Sequence, residues 1–381
     1  KHETKVDQIS KSTLKMDKFL KRKTPSSSQP IIKRHPLIII SHNLNGVAGR
    51  FTNNLQEMQQ FIEQHNPDIL CWQEARLQCN KDPRQGTIFD GYTKGKENKE
   101  QRRKHDLILN TLGKTPFDKY KVVWSLSKLK GDAGTAILYK KDLKTPMIRY
   151  YIAEGDGKVY PTHHVDGRHI VMEFPEFILL NTYAPNNQTK ESGWERRKDW
   201  DAQLLRYVRE TNAGNKPLIW VGDLNTTTDD FDMGPGPKYY RDTVYKLSKD
   251  WTNPGDGTGD KPWTNCHDNK GQPGCTMGEQ KSFQQIRQVG HLIDAYRHKH
   301  PIDSTQVVEG KEAWTWRGTP GRAEENPASS RYWGKGMRID YTLVHESLVG
   351  RIKRSEILGH GLAREGFLGS DHCPILLELW P

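Results

Sequence analysis

Four short strings of the sequence place oxygen-bearing side chains, and one histidine, next to apolar segments. The strings are Trp72-Gln73-Glu74, Gly222-Asp223-Leu224-Asn225, Arg338-Ile339-Asp340-Tyr341 and Gly369-Ser370-Asp371-His372. Carboxylate and amide oxygens are hard ligands of the kind that Mg²⁺ accepts in proteins. Brought together at strand ends, these side chains have the chemistry to bind Mg²⁺ and hydrolyse a phosphodiester, which requires charge neutralisation and an activated water.

The strings supply different parts of that chemistry. Glu74 follows an apolar run, so we expect it to project from a sheet edge as a metal ligand. Asp223 and Asn225 lie two positions apart and would point to the same side in an extended chain, so that one acts as base while the other orients the scissile group. We expect Asp340 to orient His372, whose protonated ring can act on a phosphate oxygen.

Each string also has a purely structural explanation. An Asp-x-Asn string after a strand is often a turn or a helix cap. A glutamate after a strand is usually solvated, and Ser-Asp-His before a strand can be a turn. These explanations predict no particular order or partner among the strings, so their combination favours the catalytic interpretation.

The elements that position these residues must come from concentrated apolar stretches, because only 34% of the 381 residues are hydrophobic. Apolar runs predict strands, and a helical spacing predicts helices. Strands are predicted at 37–40, 67–72, 122–124, 135–139, 169–174, 177–183, 218–221, 314–316, 339–344 and 375–379, helices at 55–64, 192–211 and 283–289, and 292–296 as extended or the start of a helix. Many strands with few helices between them indicate two packed sheets flanked by helices.

The composition divides the chain into two parts. Residues 1–36 are rich in Lys, Ser, Thr and Pro, which predicts a disordered basic tail. Residues 37–381 form the predicted catalytic domain, with polar inserts near 78–119 and 226–280. We expect the inserts to be solvated surface segments, with an extended DNA-contact surface as the alternative.

Positive charge is concentrated in the tail. The net charge is +11, and residues 1–36 hold ten Lys and Arg against three Asp and Glu. Such a balance is compatible with a polyanionic partner or with solubility alone. Lys21-Arg22-Lys23 and Lys33-Arg34 resemble a split nuclear import signal and favour a nuclear location, with a mitochondrial or other organelle location as the alternative. Residues 13–20 loosely resemble a sliding-clamp peptide.

Cysteine usage and hydropathy exclude other classes. Five cysteines, an odd number, without disulfide-scaffold spacing favour a reducing compartment. Cys266-His267 and Cys275 lack a CxxC pair, which argues against zinc. No apolar run approaches the roughly 20 residues of a membrane span. The first residue is Lys, so we expect a truncated or processed form.

From about residue 37 to 381 the sequence resembles the exonuclease III branch of the endonuclease/exonuclease/phosphatase superfamily, the abasic-site endonucleases. The strings that carry this resemblance are His42-Asn43-Leu44-Asn45-Gly46, Pro67-Asp68-Ile69-Leu70-Cys71-Trp72-Gln73-Glu74, Asn181-Thr182-Tyr183-Ala184-Pro185-Asn186, Val221-Gly222-Asp223-Leu224-Asn225, Gly290-His291-Leu292-Ile293-Asp294-Ala295-Tyr296-Arg297, Arg338-Ile339-Asp340-Tyr341 and Gly369-Ser370-Asp371-His372-Cys373-Pro374.

The resemblance implies a DNase-I-like α/β fold, a four-layer sandwich of two packed mixed sheets flanked by helices. It implies Mg²⁺ as cofactor, with Mn²⁺ as a substitute. The implied catalytic residues are Asp223, His372, Asp340, Asn225 and Tyr183, the metal ligands are Glu74, Asn45 and Asp371, and the substrate-binding residues are Asn43, Arg76, Asn186, Trp316, Met337, Arg338 and Ile339. Trp316, Met337 and Ile339 would form an apolar pocket for a sugar without a base, which is easily extruded from a duplex.

Two of these positions depart from the family pattern. Met337 stands where the family often has an aromatic residue, and this replacement changes how closely the pocket would fit a sugar. Asn45 is the neutral option at a position that Asp can also fill, and one charge fewer would weaken Mg²⁺ binding.

The resulting hypothesis is a monomeric DNA-repair nuclease. It would act on double-stranded DNA, cut 5′ to an abasic site, leave a 3′-hydroxyl and trim 3′ ends. Within the same chemistry the alternatives are a less specific DNase or retrotransposon-type endonuclease and a phosphoinositide phosphatase. The phosphatase lacks support from any membrane-binding segment, and the strings at 290–297 and 338–341 favour the nuclease branch.

Two further alternatives come from other classes of protein. A non-catalytic nucleic-acid-binding protein would have lost at least one acidic position, whereas Glu74, Asp223, Asp340 and Asp371 are all present. A scaffold whose tail docks a replication clamp could coexist with catalysis.

Overall fold

The computed structural model describes residues 37–77, 99–127, 129, 131–152, 166–188, 191–214, 216–234, 272–302, 313–318 and 334–381. The chain divides after His35, and Pro36–Pro381 form one compact unit. The predictions for the tail, including the import signal and the clamp peptide, lie outside the described residues. So do Cys266-His267, residues 78–98 of the first insert and residues 235–271 of the second.

The described chain contains fifteen strands and six α-helices, and several strands follow one another directly. The strands are β1 (Leu37–Asn43), β2 (Ile69–Gln73), β3 (Tyr120–Ser125), β4 (Thr135–Lys140), β5 (Met147–Arg149), β6 (His169–Glu173), β7 (Ile178–Tyr183), β8 (Leu218–Asp223), β9 (Met233–Gly234), β10 (Leu292–Asp294), β11 (Trp316–Arg317), β12 (Gly336–Met337), β13 (Asp340–His345), β14 (Ile352–Ile357) and β15 (Ile375–Leu379). The helices are α1 (Val47–Asn53), α2 (Leu55–His65), α3 (Lys99–Leu112), α4 (Glu191–Asn212), α5 (Met277–Val289) and α6 (Ala295–Lys299).

The strands form two mixed sheets and one small sheet. The first sheet has the order β14-β15-β1-β2-β4-β3 and the second has the order β10-β13-β8-β7-β6-β5, while β11-β12-β9 form the small sheet. The β1–β2 and β7–β8 pairs are parallel and the others are antiparallel. The predicted architecture of two packed mixed sheets flanked by helices is confirmed.

Helices cover the outer face of each sheet. Against the first sheet, Phe51 of α1 and Ile62 of α2 pack in one cluster with Trp72. Against the second sheet, Leu204 of α4 and Phe283 of α5 pack with other buried side chains. Each fully buried side chain of this size contributes roughly 1.5–3 kcal/mol to folding, so these two clusters hold each helix layer against its sheet.

The face between the sheets is apolar at one level and polar at the next. Ile39, Ile69, Leu179, Ile219 and Val344 share one buried cluster, and strand pairing aligns them within each sheet. Because strand side chains alternate between faces, residues four positions along return to the same face. These are Asn43, Gln73, Tyr183, Asp223 and Asp340, which we call the polar level. It holds several of the residues that the motifs single out.

The first polar insert contains more structure than the sequence indicated. Residues 99–112 form helix α3, which buries Ile108 completely in the core of the first sheet. The high content of Lys, Arg and Glu masks an apolar spacing of Ile108 and Leu112, four residues apart. The prediction of a surface excursion is therefore wrong for this part of the insert.

Both described ends of the second insert are also built into the fold. Strand β9 pairs with β12. At the other end, Thr276 and Glu279 form a capping box at the start of α5. Among smaller differences, 314–316 contains only the beginning of a two-residue strand, and 292–296 is a strand followed by a helix. No helix among the described residues combines the length and the apolar character needed to cross a membrane.

Candidate active site

Asn43 connects acidic groups that come from the two sheets. Its side-chain amide donates to Glu74 Oε1 at 3.1 Å and to Asp223 Oδ2 at 2.8 Å. Asn43 and Glu74 belong to the first sheet and its following loop, whereas Asp223 ends β8 of the second. The structure therefore brings these three sequence-predicted residues into one buried cluster.

Asp223 ends strand β8, which packs closely against β7 at Gly222. Gly222 has φ +136°, and a Cβ atom at this position would lie 2.0 Å from the carbonyl oxygen of Thr182. Only glycine fits there, which explains the Gly-Asp string. Burial, together with the negative charges of Asp340 and Glu74, raises the pKa of Asp223 to about 7. A carboxyl group with this pKa can accept a proton near neutral pH.

His372 lies between two carboxylates. Its Nδ1 is 2.8 Å from Asp340 Oδ2, and its Nε2 is 3.8 Å from Asp223 Oδ2. Burial alone would lower the pKa of His372, but the adjacent charges of Asp340 and Asp223 outweigh it and hold the pKa well above its usual range. The ring is therefore a protonated donor whose orientation Asp340 fixes, as the motif predicts.

Glu74 and Arg76 lie in a strained turn after β2. Both have left-handed backbone angles, with φ of 48° and 51°, and such conformations are costly unless neighbours enforce them. The N–H groups of Ala75 and Arg76 donate to Gly134 and Ala133 at 2.9 Å each. Arg76 Nε donates to Glu74 Oε2 at 2.7 Å. Arg76 thus holds one carboxylate oxygen of Glu74 while its side chain stays partly exposed.

Asn45, Asp371 and Trp316 form a second group beside the first. The Asn45 side-chain amide donates to Asp371 Oδ1 at 2.8 Å, and Trp316 Nε1 donates to Asp371 Oδ2 at 3.2 Å. The backbone N–H of Asn45 donates to Asn43 Oδ1 at 3.0 Å, which joins the two groups. Burial opposes ionisation of Asp371, but His372 and these hydrogen bonds outweigh it and lower the pKa of Asp371.

The donor set fits a hard divalent cation. One ligand atom from each of Glu74, Asp223 and His372 lies within 4.8 Å of the other two. Asp340 engages Nδ1 of His372, so only Nε2 is available to an ion, and the raised pKa of the ring favours its protonated form, which does not bind a metal. The carboxylate oxygens remain, and these are the groups that Mg²⁺ or Mn²⁺ prefers.

Asn225 does not lie in extended chain, so the prediction that it points to the same side as Asp223 by strand alternation is wrong. Its φ is 46°, and its backbone N–H donates to Asp223 Oδ1 at 2.9 Å. Its side-chain amide donates to the carbonyl oxygen of Ala184 at 2.9 Å. The residue forms an Asx-type turn that orients Asp223 from the backbone.

Tyr183 lies next to Asp223 in the β7–β8 pair. The Arg168 guanidinium is 4.9 Å from the centre of its ring. Burial and the charge of Glu74, which is also its hydrogen-bond partner, raise the pKa of the Tyr183 hydroxyl well above its usual range. Tyr183 therefore stays protonated and can donate a hydrogen bond.

Arg338 is an internal ion-pair residue, and the prediction that it binds substrate is wrong. Its side chain is 1% exposed and donates to Asp232 from Nε and Nη2 at 2.8 Å each. Nη1 donates to Asp294 at 2.7 Å. With both edges of the guanidinium occupied by buried carboxylates, no face is left for substrate. Arg338 instead fastens the insert end at Asp232 to β10.

The predicted pocket residues lie around the small sheet. Met337 and Ile339 are buried with Met233 and Cys275, and Trp316 packs against this cluster while remaining partly exposed. Asn186 is partly exposed, and its Oδ1 accepts the N–H of Gln188 at 2.8 Å. Trp316 contacts the charged groups directly, through its hydrogen bond to Asp371.

Two residues at the site carried no predicted role. His42 Nε2 lies 3.1 Å from the carbonyl oxygen of His372, and burial lowers the pKa of His42 to about 3. Thr315 Oγ1 accepts the N–H groups of Ile339 and Asp340 at 3.0 Å each. His42 stands inside a quoted motif and Thr315 inside a predicted strand, but neither spacing indicates these contacts.

Comparison with known proteins agrees with this geometry. The family described as Endonuclease/Exonuclease/phosphatase matches residues 40–372. The chain belongs to this family. It is 33% identical over 353 residues to a DNA-(apurinic or apyrimidinic site) endonuclease of Arabidopsis thaliana, covering 91% of this chain and 86% of that protein. It is 26% identical over 339 residues to an exodeoxyribonuclease of Bacillus subtilis, covering 89% and 98%.

Solved structures share the fold. An AP endonuclease from Leishmania major superposes with a TM-score of 0.56 at 19% identity, covering 95% of this chain and 92% of that one. The predicted resemblance to this branch of the family is confirmed, and so is the enzyme class: the protein is a phosphodiester hydrolase.

Proposed function

We propose that the protein is a Mg²⁺-dependent DNA-repair nuclease that hydrolyses the phosphodiester 5′ to an abasic site. We further propose that it leaves a 3′-hydroxyl and trims 3′ ends. The observation that carries the proposal is the buried chain of contacts from Glu74 through Asn43, Asp223 and His372 to Asp340. The names of the Arabidopsis and Bacillus relatives support the substrate.

In this proposal the residues divide the work of phosphodiester hydrolysis. Asp223 accepts the proton of the attacking water, which its pKa of about 7 permits. The protonated ring of His372 and the hydroxyl of Tyr183 donate to phosphate oxygens, where negative charge increases in the transition state. Asp340 keeps the His372 ring in the orientation that this contact needs.

Glu74, with Asn45 and Asp371 nearby, would hold the Mg²⁺. When bound, the ion supplies charge neutralisation at the phosphate and stabilisation of the leaving oxygen. Asn43 contacts both Glu74 and Asp223, so it fixes the carboxylate that holds the ion relative to the base.

Specificity for an abasic site would come from the small sheet. Trp316 is partly exposed beside Asp371 and packs on the buried Met337 and Ile339. A sugar without a base is small enough to enter an apolar site of this kind. Met337 is more flexible than an aromatic residue, so we expect some tolerance of other substituents. Arg76 and Asn186 are the proposed contacts to the DNA backbone.

The experiment is a gel assay of one end-labelled duplex, with and without a central tetrahydrofuran abasic analogue, in Mg²⁺ and in EDTA. The proposal predicts incision immediately 5′ to the analogue in Mg²⁺ and none in EDTA. Equal cleavage of both duplexes would favour the alternative of a less specific endonuclease, and activity in EDTA would contradict the metal requirement.

Monomeric state is a further proposal. A nuclear location and clamp binding through residues 13–20 are two more, which the basic tail and its motifs support. Light scattering measures the first. Imaging of fluorescent fusions with and without residues 1–36 tests the second, and the same pair of proteins in a binding assay with a purified clamp tests the third. Retained nuclear location or retained binding after deletion contradicts the corresponding role of the tail.

A further inference from the structure

A buried polar contact joins the two sheets directly beneath the catalytic groups. Gln73 Nε2 of β2 donates to Asn181 Oδ1 of β7 at 2.7 Å, and both residues have no solvent exposure. Two residues earlier in each strand, and on the same face, lie Cys71 and Leu179. Both belong to the apolar cluster between the sheets. The contact therefore lies at the boundary between the apolar core and the site.

Asn181 reaches from its own sheet to two strands of the other. Its Nδ2 donates to the carbonyl oxygens of Trp72 in β2 and Ala136 in β4 at 3.2 and 3.0 Å. Gln73 Nε2 also donates to Ser41 Oγ in β1 at 2.9 Å. Both amide nitrogens are hydrogen-bonded, whereas Gln73 Oε1 has no partner among the described residues. Buried amide hydrogen bonds fix geometry more narrowly than apolar packing does.

The two amides are immediate neighbours of catalytic groups on both sheets. Gln73 precedes Glu74, and Asn181 lies two residues before Tyr183 on the same face of β7. Tyr183 pairs in turn with Asp223. The distance between the sheets at Gln73 and Asn181 therefore contributes to the distance between Glu74 and Asp223, which Asn43 also bridges directly.

We propose that Gln73 and Asn181 are positioning residues that fix the separation of the two sheets at the catalytic site. Their contact holds Glu74 in the place, relative to Asp223 and Tyr183, that phosphodiester hydrolysis requires. This inference rests on the proposed function in one respect, namely that these acidic groups are the catalytic ones.

The first test replaces each amide by an apolar side chain of similar size, in Gln73→Met and Asn181→Leu. Misplacement of reacting groups by about 1 Å can cost up to about 100-fold in rate, so we expect kcat to fall at least about tenfold. Because the DNA-contacting surface is unchanged, KM should change less than about twofold. A rise in KM with unchanged kcat would overturn the inference.

The matched control is Leu179→Ala, one step below Asn181 on the same face of β7. This change opens a cavity in the inter-sheet core and lowers the melting temperature, but it leaves the amide contact in place. We expect its kcat to stay within about twofold of the wild-type value. If Leu179→Ala lowers kcat as much as Asn181→Leu, general loosening of the core explains the effect and the positioning role is wrong.

A swap of the two amides supplies a rescue experiment that does not depend on folding of the apolar variants. The double variant Gln73→Asn with Asn181→Gln keeps the donor–acceptor pair and its total length, whereas each single variant changes that length by one methylene. The double variant should recover most of the kcat that the single variants lose. A double variant no better than the weaker single variant would contradict the proposal.

Failure of the proposed function and failure of this inference are distinguishable. The first appears in the wild-type protein, as absence of a preference for the abasic duplex. The second is measured as the ratio of variant to wild-type kcat, on whichever duplex the wild-type protein cleaves.

Discussion

Asn43 of the first sheet donates a 2.8 Å hydrogen bond to Asp223 of the second. The amide thereby favours the ionised form of a carboxyl group whose pKa burial and neighbouring charges raise to about 7. A residue on the opposite sheet, 180 positions earlier in the chain, therefore acts against the effect of burial on the proposed base.

Asn43→Asp should move the pH dependence of the reaction. A new carboxylate against Asp223 and Glu74 raises the pKa of Asp223 further, so the acidic limb of the pH–rate profile shifts to higher pH. The loss of rate should be larger at pH 6 than at pH 8.5, which a pH series of kcat measures. Asn53→Asp adds the same charge at an exposed position of α1 and should leave the profile in place. An unshifted limb in Asn43→Asp would contradict the assignment of Asp223 as base.

Asp223→Asn removes the proposed base while nearly preserving its shape. We expect kcat to fall by roughly two to three orders of magnitude, as for loss of a general base. Binding to an abasic duplex, measured by fluorescence anisotropy, should be largely retained, and should weaken with added salt because phosphate contacts release counterions. The exposed Asp142 provides the control substitution Asp142→Asn. Normal cleavage by Asp223→Asn would show that another group takes the proton.

Asp340→Asn should change stability in a pH-dependent way in metal-free protein. The pKa of His372 is raised above its ordinary value of 6.5 in the folded state, so protonation of His372 stabilises the fold. This contribution is fully present below pH 6.5 and is lost as the pH rises through the higher folded-state pKa. The variant should therefore lose more free energy of unfolding at acidic pH than at alkaline pH.

Urea denaturation in EDTA across a pH series measures this difference. An NMR titration of the His372 ring provides a second measurement, since its pKa should fall in the variant. A stability loss independent of pH, together with an unchanged ring titration, would contradict the ion pair.

Much of the fold could be predicted from the sequence, because the strands that line the core between the sheets carry long apolar runs. The prediction for β15, 375–379, coincides with the observed strand, and that for β7 differs by one residue at its start. Strand β14 and helix α3 escaped prediction because each is dominated by charged residues. Ile352 and Ser355 of β14 are buried among exposed or partly exposed Lys and Arg, a pattern that lacks strict alternation.

Site residues that end apolar strands could be predicted for the same reason, since Glu74 follows β2 and Asp223 ends β8. Arg338 could not be interpreted correctly from its motif, because its partners Asp232 and Asp294 lie 106 and 44 positions away. Strand alternation cannot place Asn225, because it stops at Asp223, after which Asn225 has a positive φ.

Arg338→Met should destabilise the protein without damaging the chemistry. It leaves Asp232 and Asp294 buried without their main partner, and breaking a buried ion pair in this way costs about 3–5 kcal/mol. Chemical denaturation measures the loss, and kcat per folded molecule should stay close to that of the wild-type protein. The surface pair of Lys104 and Glu100 offers the contrast, because Lys104→Met should cost less than about 1 kcal/mol. A large rise in KM for DNA with unchanged stability would restore the substrate-binding role.

Asn45→Asp should tighten metal binding. Asn45 contacts Asp371 at 2.8 Å through its amide, and its replacement places a second carboxylate there, which raises the negative charge available to a divalent cation. Without metal the two carboxylates repel each other, so the variant should be less stable than the wild-type protein in EDTA and should gain more stability when Mg²⁺ is added. Thermal denaturation over a Mg²⁺ series measures both effects, and the Mg²⁺ concentration for half-maximal rate should fall. If Mg²⁺ stabilises both proteins equally and that concentration is unchanged, Asn45 lies outside the metal site.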